Sequence, residues 1–194
     1  YRGLDYGWIA AGIGVGAAIG FVAARLVKMT GMPEMVALFN GFGGLASLLV
    51  GWSEYEKIRA FPGLAGVMEP TLPIFTATVI VLAVLIGGIT FTGSVQAWGK
   101  LSGKLGSKAC IIPAQRLING LILAGIVLCA GGFVLGGAVG IEPGTQFGLF
   151  LAMVGLSLVL GILGVLPIGG GDMPVVIALL NSFSGLAAAA ARSE

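Results

Sequence analysis

The chain reads as long apolar runs separated by short polar or glycine-rich breaks. A helix needs about 20 consecutive apolar residues to cross a ~30 Å hydrocarbon layer. Six stretches qualify: Tyr6 to Leu26, Met32 to Trp52, Leu72 to Trp98, Leu117 to Val139, Phe147 to Leu166 and Met173 to Ala191. The runs are continuous rather than alternating, which disfavours the strands of a barrel. The pattern predicts an all-α integral membrane protein, a bundle of about six transmembrane helices.

The breaks between the runs sort by charge. One set holds Arg25, Lys28, Lys100, Lys104, Lys108 and Arg116. The other holds Arg2, Lys57 and Arg59, outnumbered by Asp5, Glu54, Glu56, Glu69 and Glu142. The excess of cations puts the first set on the cytoplasmic side or its equivalent. The N-terminus then lies outside, and helices two, four and six run from inside to outside. Composition agrees: 57% of residues are hydrophobic and 9% charged, against about 25% charged in soluble domains. The 35 glycines follow no collagen period and sit within apolar runs, as in closely packed membrane helices. Histidine is absent, which removes the commonest haem ligand and the default proton shuttle, and no metal site is expected. Cys110 and Cys129 read as free thiols. The first run is too long for a cleavable signal peptide and lacks a basic start. Beginning without Met and stopping at the end of an apolar run, the chain is expected to be a fragment of a longer polypeptide.

Within this pattern lies a repeat. MPEMVALFNGFGGLAS, from Met32, and MPVVIALLNSFSGLAA, from Met173, match without gaps at nine of sixteen positions. The matches include Met-Pro, Asn, Phe and Gly at fixed offsets. Both copies run from inside to outside, so helices two and six form a parallel repeat of the kind found in some transporter folds. Pro in the first helical turn costs no hydrogen bond. Each copy carries one Asn eight residues on, Asn40 and Asn181, about 12 Å into the membrane at 1.5 Å per residue. An amide at that depth must find partners in the protein or on water. It serves either as a polar relay at matched depths or as an interhelical hydrogen bond that only joins helices. Ser184 shares a helix face with Asn181, while Ser182 is turned away by about 100°.

Asp172 precedes the second Met-Pro after three glycines. An acid there caps free N–H groups and suits the helix dipole, or it stands where protons enter or leave a path. Glu34 has the same dipole explanation. The run Gly12 to Gly20 superficially matches a dinucleotide fingerprint. It lies inside a membrane span with no strand before it, and Gly12, Gly16 and Gly20 follow the small-xxx-small packing pattern. The basic, glycine-rich loop after the third helix fits topology and docking of a soluble partner.

Three stretches carry a resemblance: TGMPEMVALFNGFGGLA (30–46), TFTGSVQAWGKLSGKL (90–105) and GGGDMPVVIALLNSFSG (169–185). In this order they resemble the membrane domain of the beta subunit of proton-translocating nicotinamide nucleotide transhydrogenase. With the spans between them the resemblance covers nearly the whole chain. It implies an enzyme moving a hydride between NAD(H) and NADP(H), coupled to proton transfer across a bacterial cytoplasmic or mitochondrial inner membrane. NAD(H) and NADP(H) would bind partner soluble domains and not this segment. Further helices and an NADP-binding domain are expected beyond residue 194. The implied partners are lipid, the transmembrane helices of an alpha subunit, the soluble domains on the basic face, and a second copy of the whole enzyme. Nucleic acid is not among them.

Residue by residue, Asp172 matches the acid of the family's DMPVV motif, Asn181 an intramembrane Asn of the proton path, and Asn119 an Asn after the basic loop. Thr76 and Asn40 stand where some members carry His, and Gln115-Arg116 where many have Arg-His. A proton step here would use water held by Asn and Ser, or a His from elsewhere. The expected proton path comprises Asn181, Asn40, Asp172, Ser184, Ser182, Asn119 and Thr76. The other reading of the repeat is a non-enzymatic secondary transporter binding a small solute near Asn40 and Asn181.

Overall fold

The computed structural model describes residues 5–60 and 73–191. Arg2 and Glu69 of the outer charge set, and Leu72, lie outside the described residues. The rest forms six α-helices: α1 (Tyr6–Leu26), α2 (Met32–Ala60), α3 (Ile74–Leu101), α4 (Gln115–Val139), α5 (Pro143–Val165) and α6 (Met173–Ala191). The first five are long and apolar enough to cross a membrane. The six helices match the six apolar runs; the differences are at the ends. α5 opens on Pro143 at its first position, where the missing N–H costs nothing. α2 continues past Trp52 for 29 residues in all, about 44 Å against ~30 Å of hydrocarbon. Its last turns therefore stand beyond the apolar layer, and there Lys57 pairs with Glu54 at 3.0 Å and Arg59 with Glu56 at 2.9 Å. The charges expected in a loop are carried on helix, satisfied three residues apart.

α3 is the centre of the bundle, packing on α2, α4, α5 and α6. Glycine permits two of these crossings. A methyl group on Gly44 would stand 2.8 Å from the backbone nitrogen of Phe91, and one on Gly87 2.6 Å from the carbonyl oxygen of Gly44. α2 and α3 thus meet backbone to backbone. On the opposite side, a methyl on Gly161 of α5 would fall 2.6 Å from the Ile89 carbonyl. The neighbours also report direction. Gly41 faces Ser94 while Gly51 faces Ile80 and Val84, so α2 and α3 are antiparallel. Gly88 faces Ser157 and Gly93 faces Gly161, so α3 and α5 are parallel. This is the alternation the loop charges demand.

Two apolar clusters fill the interior. The outer one gathers Leu48, Tyr55, Ile80, Val84, Phe133, Phe150 and Met153, with Tyr55 and Phe150 rings 4.7 Å apart. The inner one gathers Ala37, Ala97, Val165, Met173 and Ile177. Between them α3 presents glycines and hydroxyls, with Thr90 and Ser94 fully buried. α1, capped by Asp5 onto the Gly7 amide at 2.9 Å, contributes no buried residue.

The crossings make a direct prediction. Gly87→Ala forces α2 from α3 and should destabilise the protein by about 1–3 kcal/mol, the usual cost of overpacking. Gly155→Ala, with nothing within 4 Å, should be neutral. Thermal unfolding of the two variants in detergent checks the pair.

Candidate functional site

The two repeat copies enter the membrane by the same backbone path. A 3₁₀ turn precedes each helix, Met29–Gly31 before α2 and Gly170–Asp172 before α6. The residue ahead of each turn is nearly identical in conformation, Lys28 at φ −71°, ψ 155° and Gly169 at φ −73°, ψ 159°. The repeat therefore reaches further toward the N-terminus than the matching letters. The copies are packed by different faces, however. α2 buries Ala37, Gly41, Gly44 and Leu48. α6 buries Met173, Ile177 and Leu180, whose counterparts Met32, Val36 and Phe39 are exposed.

The result is a groove of about 740 Å³ between α2 and α6, to which equivalent positions contribute from both sides. Val36 answers Ile177, Asn40 answers Asn181, and Gly43 answers Ser184, with Ser47 further along. α3 backs this groove with a hydroxyl pair one turn apart. Asn40 Nδ2 donates to Ser94 Oγ at 2.8 Å. Ser184 Oγ lies 3.4 Å from Thr90 Oγ1 and 3.2 Å from the Leu180 carbonyl. One helix thus holds one polar side chain of each copy, one turn apart, in the layer between the two apolar clusters. Asn181 is exposed to the groove and makes no side-chain hydrogen bond among the described residues.

The structure brings Asn40, Asn181 and Ser184 together and leaves the other expected residues apart. Ser182 donates to the Leu179 carbonyl at 2.7 Å and is exposed on another face, as its position one residue beyond Asn181 implies. Asp172 sits exposed in the 3₁₀ turn at the inner end of α6. Thr76 lies in the first turn of α3, about 21 Å along the helix from Thr90 at 1.5 Å per residue. Asn119 is on α4, and its Oδ1 is buried with no hydrogen-bond partner among the described residues. Ser94 and Thr90 escaped the sequence reading. Their signal was the spacing of two hydroxyls by four residues in TFTGS, which places both on one helix face.

Two features bear on nucleotide chemistry. The glycine run Gly12 to Gly20 is the interior of helix α1, and no strand occurs among the described residues, so the fingerprint's strand–turn–helix setting is not found there. The basic face also changes. Lys100 is only 3% exposed and cannot touch a docking partner, whereas Lys104, stacked over Trp98 at 4.4 Å, and Lys108 remain accessible.

Comparison with known proteins decides the family. The model of the NAD(P) transhydrogenase beta subunit matches residues 2–192. The chain belongs to the NAD(P) transhydrogenase beta subunit family. The beta subunit of NAD(P) transhydrogenase from Rhodospirillum rubrum is 38% identical over 185 residues, 95% of this chain and 37% of the relative. The same subunit from a designated strain of that species matches with the same figures. The chain thus spans little more than a third of the length of these relatives. Both names describe one part of an enzyme, and the part matched here is a bundle of membrane-length helices.

The Asn40–Ser94 bond gives a test of the site's construction. Asn40→Ala and Ser94→Ala should show a coupling of about 0.6 kcal/mol, and no more than ~2 kcal/mol, in a double-mutant cycle of unfolding in mixed micelles. Strict additivity would mean the bond is not formed.

Proposed function

We propose that this chain is the proton-conducting membrane domain of a proton-translocating NAD(P) transhydrogenase. The whole enzyme would couple hydride transfer between NADH and NADP⁺ to proton passage across a bacterial cytoplasmic or mitochondrial inner membrane. The observation that carries the reading is the groove between α2 and α6, where the two repeat asparagines line one cavity. Family membership favours this over a carrier for a small solute.

In this account water in the groove bonds Asn40, Asn181 and Ser184. Such groups relay protons through held water and need not change charge themselves, as a chain without histidine requires. The apolar clusters on either side of the polar layer keep it from becoming an open pore, because a protonated water chain is costly to place in hydrocarbon. Asp172, on the inner face at the foot of α6, stands where a proton would pass to or from the cytoplasmic or matrix phase. NAD(H) and NADP(H) would sit in partner soluble domains, docked on the face carrying Lys104 and Lys108. Occupancy and redox state of the NADP domain would shift the groove between inward and outward access, a two-state coupling. Alpha-subunit helices and a second copy of the enzyme would complete the assembly.

Asn181→Leu keeps the branched shape of the side chain and removes the amide. In the whole enzyme it should lower proton-coupled hydride transfer at least tenfold, read as the rate of nucleotide reduction in energised vesicles. Wild-type coupled rates in that variant would contradict the proposal.

A further inference from the structure

Lys100 is the one inner-face cation that the bundle buries. Its ammonium lies at the C-terminal end of α5 and donates to three backbone carbonyls, Val165 at 3.2 Å, Leu166 at 2.6 Å and Ile168 at 2.6 Å. An ammonium has three N–H donors, so these bonds use all of them. The last carbonyls of a helix lack partners within it, and a cation there also meets the negative end of the dipole. Around this centre the two inner loops are tied together by backbone bonds. The Cys110 amide donates to the Leu166 carbonyl at 3.2 Å, and the Gly170 amide to the Ser107 carbonyl at 2.9 Å. Ser107 Oγ in turn donates to the Lys100 carbonyl at 3.3 Å. Gln115, at the start of α4, adds a bond from its side-chain amide to the Leu163 carbonyl at 2.7 Å.

The tied segment runs directly into the candidate site. Ile168 is followed by the three glycines, by Asp172, whose amide donates to the Gly169 carbonyl at 3.1 Å, and by Met173, which is fully buried in the inner apolar cluster. Glycines in sequence give this stretch little rigidity of their own. What fixes it is the clasp at either end.

We propose that Lys100 is a positioning residue: its ammonium clamps the α5 end and the 166–172 turn, and so sets where Asp172 stands at the inner mouth of the groove and how deep α6 carries Asn181. This rests on the proton-path reading for its functional consequence, but not for the clasp itself. The clasp needs the ammonium's shape as well as its charge. A planar guanidinium cannot aim three N–H groups at three converging carbonyls, and a methionine offers none.

The test uses the whole enzyme with its native cysteines replaced and spin labels at Lys108→Cys and Gly171→Cys, one on each inner loop. The parent should give a narrow distance distribution. Lys100→Met and Lys100→Arg should both broaden it, and both should lower proton-coupled hydride transfer at least tenfold with little change in KM for NADP(H). Lys104→Met, the same charge removed from an exposed neighbour, should leave the distance distribution as in the parent. A distribution left narrow in both Lys100 variants overturns the clasp. A broadened distribution with parental coupled rates overturns the positioning role. If Asn181→Leu instead retains full coupled rates, the proton reading falls while the label distances still decide the clasp.

Discussion

The close approach of α3 to α2 and α5 underlies every other feature of this bundle. Lipid provides no hydrophobic push between helices, so association depends on backbones coming near enough for dense contact. Gly44 and Gly87 allow that on one side of α3, and Gly161 on the other. Bulk at these points would separate the helices and with them the hydroxyls of Thr90 and Ser94 from their partners. The same glycines that hold the bundle therefore set the geometry of its polar layer.

That layer follows from a division of labour along α3. Its outer turns, with Ile80 and Val84, join an aromatic cluster, and its inner turn at Ala97 joins the cluster around Met173. The middle carries the fully buried hydroxyls of Thr90 and Ser94, and there the two repeat copies are held by this pair of residues one turn apart. Because α2 and α6 pack by different faces, the repeat does not close on itself. The face that α6 buries with Ile177 is left open on α2 at Val36 and Phe39, and the open face forms one side of the groove. A duplication of sequence has become a cavity through a difference in packing.

Much of this was legible in the letters. Apolar run lengths located six helices, loop charges gave their alternation, and the Met-Pro and Asn offsets located the repeat. The face separation of Ser182 from Asn181 and Ser184 followed from helical angle alone. What was not legible depended on neighbours distant in sequence. That Ser94 meets Asn40 is a contact across 54 residues, and a serine in a glycine-rich helix reads equally as packing. Lys100 looked like one more inner-face cation, since the carbonyls that enclose it belong to α5. The helical end of α2 was missed because a run of Glu, Lys and Arg reads as loop by hydropathy, while the ion pairs that support it need helical spacing. Thr76 and Asn119 came from resemblance, and the fold puts neither beside the groove.

The central claim is that the groove between the repeats holds water at mid-membrane depth. Single cysteines at Asn181, Gly43 and the lipid-facing Leu128, challenged in sealed vesicles with a small charged thiol reagent, test it most directly. Rapid modification at positions 181 and 43 with protection at 128 is the predicted result. Equal protection at all three would show the groove to be dry and would contradict the account.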